Sequence, residues 1–217
     1  MRAGKPAALV LTAAAIVAAG GTVTAHRLDE CLQAARIAIE PDHVEVELSL
    51  TPGVEVAGAM IDDIDRDGDD SLSATEQQAF VRRVVAALEL AHDGRSLDLV
   101  AGTATFPPID ALRRGDGTIQ FRSSAGLTPP SQGAHQVSFT NSYRPEMSVY
   151  LANALVPESD RIAVTAQRRT FAQRDLTIDY TLRPGRTTSI WILGVVVVAL
   201  GGVMGGVRLI PDRRRAI

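Results

Sequence analysis

The sequence predicts an α+β chain: a β-sandwich-like extracytoplasmic domain carrying an inserted helix–loop–helix, followed by one C-terminal transmembrane helix. Three observations lead there. Short runs of alternating apolar and polar residues recur between Arg36 and Leu182, separated by Pro and Gly turns. Two helically spaced apolar patterns flank an acidic stretch at 65–76. An uncharged run of 18 residues, 190–207, lies near the end.

In chain order, Arg2 and Lys5 precede an uncharged, Ala-rich run that ends Val23-Thr24-Ala25. A positive start, an apolar middle and a small-x-small end predict a signal peptide over 1–25, cleaved to leave His26 first. The expected domain is 26–185. Arg36–Glu40 and Val44–Leu50 then read as a half-buried hairpin around Pro41-Asp42-His43. Val44, Val46, Leu48 and Leu50 face one way, and Glu45, Glu47 and Ser49 the other.

Val54, Ala57, Met60, Ile61 and Ile64 follow at helical spacing and end against Asp65-Arg66-Asp67-Gly68-Asp69-Asp70-Ser71-Leu72-Ser73-Ala74-Thr75-Glu76. Calcium, a hard cation, takes six to eight oxygens at about 2.3–2.6 Å. The loop offers oxygen at alternate positions, Asp65, Asp67, Asp69, the Ser71 carbonyl and Ser73, and then, three residues on, from the long-reaching Glu76. Ser73 suits an N-cap for an exit helix with Ala79, Phe80, Val84, Ala87 and Leu88 along its faces. Leu72 supplies the apolar side chain of the loop. Over 54–88 the chain resembles an EF-hand, which implies Ca2+ at those six residues. It departs from that pattern at Asp70, where the family has Gly. The position needs positive φ, which Asp tolerates better than most residues. EF-hands usually pair through the strand at Leu72. No second loop is present, since Asp93-Gly94-Arg95 and Gly115-Asp116-Gly117 lack spaced carboxylates and read as turns. A single hand implies weak, extracellular-type affinity.

Leu97–Val100, Thr103–Phe106, Thr118–Ser123, Gln136–Asn141, Ser148–Ala154, Ile162–Gln167 and Leu176–Leu182 read as further strands. Asn141 to Pro145 and Asn153 read as loop and strand-edge residues. Residues 190–207 would span about 27 Å as a helix, close to a hydrocarbon core. Trp191 marks one interface, and Arg208, Arg213, Arg214 and Arg215 mark the other. The basic tail, 208–217, is therefore expected in the cytoplasm and the body outside it. The prediction is a single-pass protein of the bacterial cell membrane with a periplasmic or extracellular domain. Gly201/Gly205 and Gly202/Gly206 have the spacing that lets two helices approach as a homodimer; glycine is also simply common in membrane helices.

Composition excludes several functions. Residues 26–189 hold 16 basic and 24 acidic side chains, a balance unsuited to neutralising nucleic-acid phosphates. Lys5 is the only lysine, so a mature chain has none for a Schiff base or a phosphate loop. Cys31 is the only cysteine, which precludes an internal disulfide and suits a free buried thiol. HExxH, GxSxG and Gly-rich phosphate motifs are absent, and no enzyme is expected. A mature N-terminal His26 would offer an amine and an imidazole to copper or nickel. His43, His92 and His135 are the further candidate ligands, though none shows ligand spacing. The second functional expectation is therefore transition-metal handling, or a metal-dependent enzyme, through His26. Ala25 to Glu30, the loop and the late apolar run together resemble bacterial exported EF-hand proteins with a C-terminal anchor. A fainter likeness, to extracytoplasmic parts of nickel permeases, rests on residues near the mature start. The expected role is calcium ordering a hand that shapes a structural or interaction surface for an envelope protein.

Overall fold

A computed structural model describes residues 29–128 and 130–185. The signal peptide, His26, the candidate span 190–207, its glycines and the tail 208–217 lie outside the described residues. No described helix is long and apolar enough to cross a membrane.

The chain is α+β with two five-stranded sheets. β1 (Cys31–Ile39), β2 (His43–Pro52), β5 (Val100–Thr105), β6 (Ile119–Gly126) and β8 (Ser148–Ala154) form the first, in the order β5-β6-β2-β1-β8. β3 (Leu88–His92), β4 (Arg95–Leu97), β7 (Gly133–Asn141), β9 (Ile162–Arg169) and β10 (Asp175–Leu182) form the second, in the order β4-β3-β7-β10-β9. β1 and β8 run parallel and the other pairs antiparallel. Helices α1 (Val54–Ile64) and α2 (Ala74–Ala86) lie in the connection from β2 to β3, where the chain changes sheets. A short helix α3 (Ile109–Arg113), unexpected from sequence, joins β5 to β6.

Alternation sets which residues face inward. Along β2, Val44, Val46, Leu48 and Leu50 are fully buried. They join Ile37 and Phe121 of the same sheet, Phe139, Ile178 and Tyr180 of the other, and Met60, Ile64, Phe80 and Val84 of the helices in one continuous core. A shared core between two sheets is compatible with a sandwich-like domain. Burying a Phe or Leu side chain contributes about 1.5–3 kcal/mol, so this apolar seam dominates the stability of the domain. Cys31 is free and buried, and burial pushes its thiol up to about 12.

Three local readings change. Leu88 opens β3 and does not belong to the exit helix, which stops at Ala86. The sheet takes over there: Leu88 stands opposite Asn141, and Ser142 N–H donates to the Ala87 carbonyl at 2.9 Å. The expected strand Leu97–Val100 is broken, β4 ending at Leu97 and β5 starting at Val100 in the other sheet. Asn141 and Tyr143 are buried, not edge residues. Asn141 Nδ2 donates to Gln33 Oε1 at 2.8 Å, and Gln33 Nε2 donates to the Tyr143 carbonyl at 2.8 Å. The pairing satisfies buried polar atoms that would otherwise cost about 1–3 kcal/mol each.

Candidate metal centre

The acidic loop runs from the end of α1 to the start of α2. Asp65 follows α1, and its N–H still reaches the Ile61 carbonyl at 2.8 Å. Its carboxylate turns back over the loop. Oδ1 accepts from Gly68 N (2.8 Å) and Asp69 N (3.2 Å), and Oδ2 accepts from Asp70 N (3.0 Å). Asp65 is only 7% exposed, so these bonds stand in for lost water. Asp67 Oδ1 accepts from Asp69 N at 3.3 Å, and Asp69 Oδ1 from Ser71 N at 2.8 Å. Each carboxylate thus orders the backbone two or more residues on.

The two turns of the loop need positive φ. Gly68 supplies one at +70° and Asp70 the other at 61°. Asp70 is the position where the sequence departs from the EF-hand pattern, and the backbone takes the left-handed conformation there regardless. Its side chain is also used: Arg113 of α3 pairs with the Asp70 carboxylate and reaches Asp110 at 3.4 Å. The sequence gives no sign of this tie, because α3 lies some forty residues away. Gly117 fixes the turn that returns from α3. A Cβ there would lie 2.9 Å from Leu112 N and from Pro107 Cγ.

Ser73 caps α2. Its side chain accepts from Glu76 N at 3.3 Å, while Glu76 Oε2 accepts from Ser73 N at 3.0 Å, a complete capping box. Ser73 Oγ lies 2.8 Å from Glu76 Oε2, and Glu76 Oε1 accepts from Arg66 N at 2.7 Å. Glu76 therefore closes both ends of the loop. Leu72 is partly buried and packs against the core, and its carbonyl accepts from Gln77 Nε2 at 2.7 Å. No strand forms at Leu72 among the described residues.

One carboxylate oxygen from each of Asp65, Asp67 and Glu76 lies within 4.8 Å of the others. Oxygens bound to one calcium at about 2.3–2.6 Å can be no more than about 5 Å apart, so the trio fits one ion. The donors are all oxygen, the set that suits a hard cation. Asp69, Ser71 and Ser73 stand in the same loop, outside that trio. The electrostatics are uneven. Burial, then repulsion from Asp69 and Glu76, raises the Asp67 carboxyl above its ordinary value, with the Asp69 N–H opposing. Bonds from Ser73 and from the Arg66 N–H hold Glu76 below its own.

The loop is tied to the core through Asp63. Tyr143 O–H donates to Asp63 Oδ2 at 2.7 Å, and Arg83 of α2 lies 3.5 Å from Asp63 Oδ1 and donates to the Asp63 carbonyl. Tyr143 also meets Phe80 edge-on at 5.9 Å. Burial, then the Asp63 bond, raises the phenol far above its usual range. The last turn of α1 is thus held against α2 and the buried Gln33–Asn141 network.

The chain matches no family model, no curated protein and no solved structure.

Proposed function

We infer that the chain binds one calcium ion through an EF-hand over Asp65–Glu76, with Asp65, Asp67, Asp69, the Ser71 carbonyl, Ser73 and Glu76 as the ligand set. The observation that carries this reading is the convergence of the Asp65, Asp67 and Glu76 carboxylates within 4.8 Å, on a loop whose two positive-φ turns fall at Gly68 and Asp70. Three like charges so close repel one another, more strongly where water is excluded. A divalent cation removes that repulsion, so binding stabilises the domain.

The wider role that fits is a non-enzymatic, calcium-ordered part of a membrane-anchored envelope protein. The signal-like start, the apolar run 190–207 and the arginine-rich tail support that placement. The helix–loop–helix is the inserted element of a sandwich-like domain. Its tie through Asp63 and Tyr143 lets an ordered loop fix the surface formed by α1, α2 and α3.

The test is calorimetry and thermal melting of the full-length chain in calcium and in chelator. Heat uptake at one equivalent and a higher Tm in millimolar calcium are expected. Asp65→Ala with Glu76→Gln should abolish both. A wild-type Tm that ignores millimolar calcium would end the proposal.

A further inference from the structure

A second cluster of ligand-type side chains lies away from the acidic loop, at the end of the second sheet. His92 closes β3, Asp93 follows it in the turn, and His135 lies on β7, beside β3. The three are separated by up to 43 positions and are brought together only by strand pairing. Asp93 Oδ2 lies 2.7 Å from His135 Nδ1 and 3.7 Å from His92 Nε2. A ligand atom from each of the three lies within 4.8 Å of the others.

Each group is held by something else. Asp93-Gly94 is a two-residue hairpin turn with φ of 49° and 76°, the backbone an Asp-Gly hairpin requires. Asp93 Oδ1 accepts from Gln136 N at 2.9 Å, and Asp93 N–H donates to the Gln136 carbonyl at 2.9 Å. His135 Nε2 donates to the Ser131 carbonyl at 2.7 Å. That bond fixes the ring and leaves Nδ1 to face the carboxylate. A metal-binding imidazole is usually held in this way, its far nitrogen bonded to a carbonyl. His92 Nε2 lies 2.8 Å from the hydroxyl of the buried Tyr180. The phenol O–H can donate to Nε2, which keeps a lone pair directed there. The imidazole side chains are only 12% and 9% exposed, while the Asp93 side chain is 43% exposed. A groove of about 320 Å³, bordered by Leu127 and Ser131, opens onto the cluster.

We propose that His92 Nε2, His135 Nδ1 and Asp93 Oδ2 form a binding site for a divalent transition metal of the zinc class. Two imidazoles and one carboxylate are the donor set of an open zinc site, which keeps a fourth position for water or a ligand. Nitrogen donors of intermediate softness disfavour calcium and magnesium, so the site is chemically distinct from the acidic loop. Bond lengths to zinc of about 2.0–2.2 Å require the three donors to draw around the ion. The Tyr180 hydroxyl gives up its bond to His92 Nε2 when the ion takes that lone pair. The site is independent of the calcium reading and stands or falls without it.

The experiment is a Zn2+ titration of the full-length chain in millimolar calcium, so that any hard-cation site is already filled. One equivalent of zinc should bind. His92→Gln with His135→Asn should weaken it at least 100-fold, and His26→Ala or His43→Ala should leave it unchanged. No zinc binding, or binding that survives the double variant, overturns the proposal. So does binding that His26→Ala removes. Because the double variant also loses cross-strand bonds, its fold is checked by circular dichroism. If it does not fold, the wild-type chain decides: zinc should protect His92 and His135, and not His43, from diethylpyrocarbonate, read by peptide mass spectrometry. Equal modification with and without zinc overturns the proposal.

Discussion

The acidic loop and the histidine cluster are built by opposite means. Every carboxylate of Asp65–Glu76 comes from twelve consecutive residues, and the bonds that shape the loop run from its own backbone N–H groups. His92 and His135 come from two strands and Asp93 from the turn between β3 and β4, and their geometry depends on the β3–β7 pairing and on Tyr180 of β10. The donors differ as well, all oxygen in the first and mostly nitrogen in the second. A local site carries its spacing in the sequence. An assembled site carries only residue types, and the sheet supplies the spacing.

The contrast can be broken most strongly through the scaffold of the loop. Gly117→Ala should destabilise the chain by about 1–3 kcal/mol, the usual cost of forcing atoms into a packed site. It should also weaken calcium binding, because the displaced α3 carries Arg113 away from Asp70. Zinc binding should be unchanged. Denaturant melts and separate calcium and zinc titrations check this, and a parallel loss of both metals would mean that the two sites are not independent.

Tyr143→Phe tests the tie between loop and core. Loss of the bond to Asp63 should cost about 1 kcal/mol, the net worth of one such hydrogen bond. Calcium affinity should fall several-fold, as α1 is no longer fixed against the core. A melt in chelator and a calcium titration separate the two effects. Unaltered affinity would show that the loop does not feel Asp63.

Asp67→Asn should reverse sign with calcium. In chelator at neutral pH the variant should melt higher than wild type, because repulsion from Asp69 and Glu76 is removed. In millimolar calcium it should melt lower, because a charged ligand is lost. Two melting curves per protein suffice, and a change of the same sign in both would remove the shared-ion picture of the loop.

The smallest effect lies in the histidine cluster without metal. Burial opposes charge on His135, but its bonds to Asp93 and to the Ser131 carbonyl outweigh that and raise it above 6.5. Its stabilising contribution is complete below 6.5 and lost as pH rises through the raised value. Burial holds His92 below 6.5, against the pull of Asp93. Its contribution is present above 6.5 and lost as pH falls through the lowered value. The two slopes lie on either side of 6.5 and have opposite signs. In chelator, stability should therefore fall as pH drops below about 6.5, through His92, and as it rises above, through His135. His92→Gln should flatten the loss below about 6.5 and leave the loss above it. A variant profile identical to the wild type's would mean that His92 is not held neutral by burial.

Much of the fold is legible in residues that act locally. The alternation along Val44–Leu50 places its buried face correctly, because a strand's side chains alternate whatever lies opposite. Ser73 reads as a cap, and Asp70 as a tolerable left-handed residue, because both depend on bonds within a few positions. The misreadings lie where a distant partner decides. Leu88 continues the helical spacing of α2, yet pairing with Asn141 draws it into a strand. Asn141 and Tyr143 look like edge residues in a polar run, yet Gln33, more than a hundred positions away, accepts them into the core. His92 and His135 show no ligand spacing because theirs is counted across a sheet. Only a warning that His92 ends an apolar run beside an Asp-Gly turn was there to be read.

The sequence by itself determined the oxygen-rich loop, its turns, its cap and the helices on either side, since bonds of short range in the chain hold each of these. The tertiary structure alone decided that Arg113 would hold Asp70, that Tyr143 would hold Asp63, and that two histidines would face one aspartate. Those contacts form only when sheets close over a common core, and the closure joins residues by their place in the fold rather than by their distance along the chain.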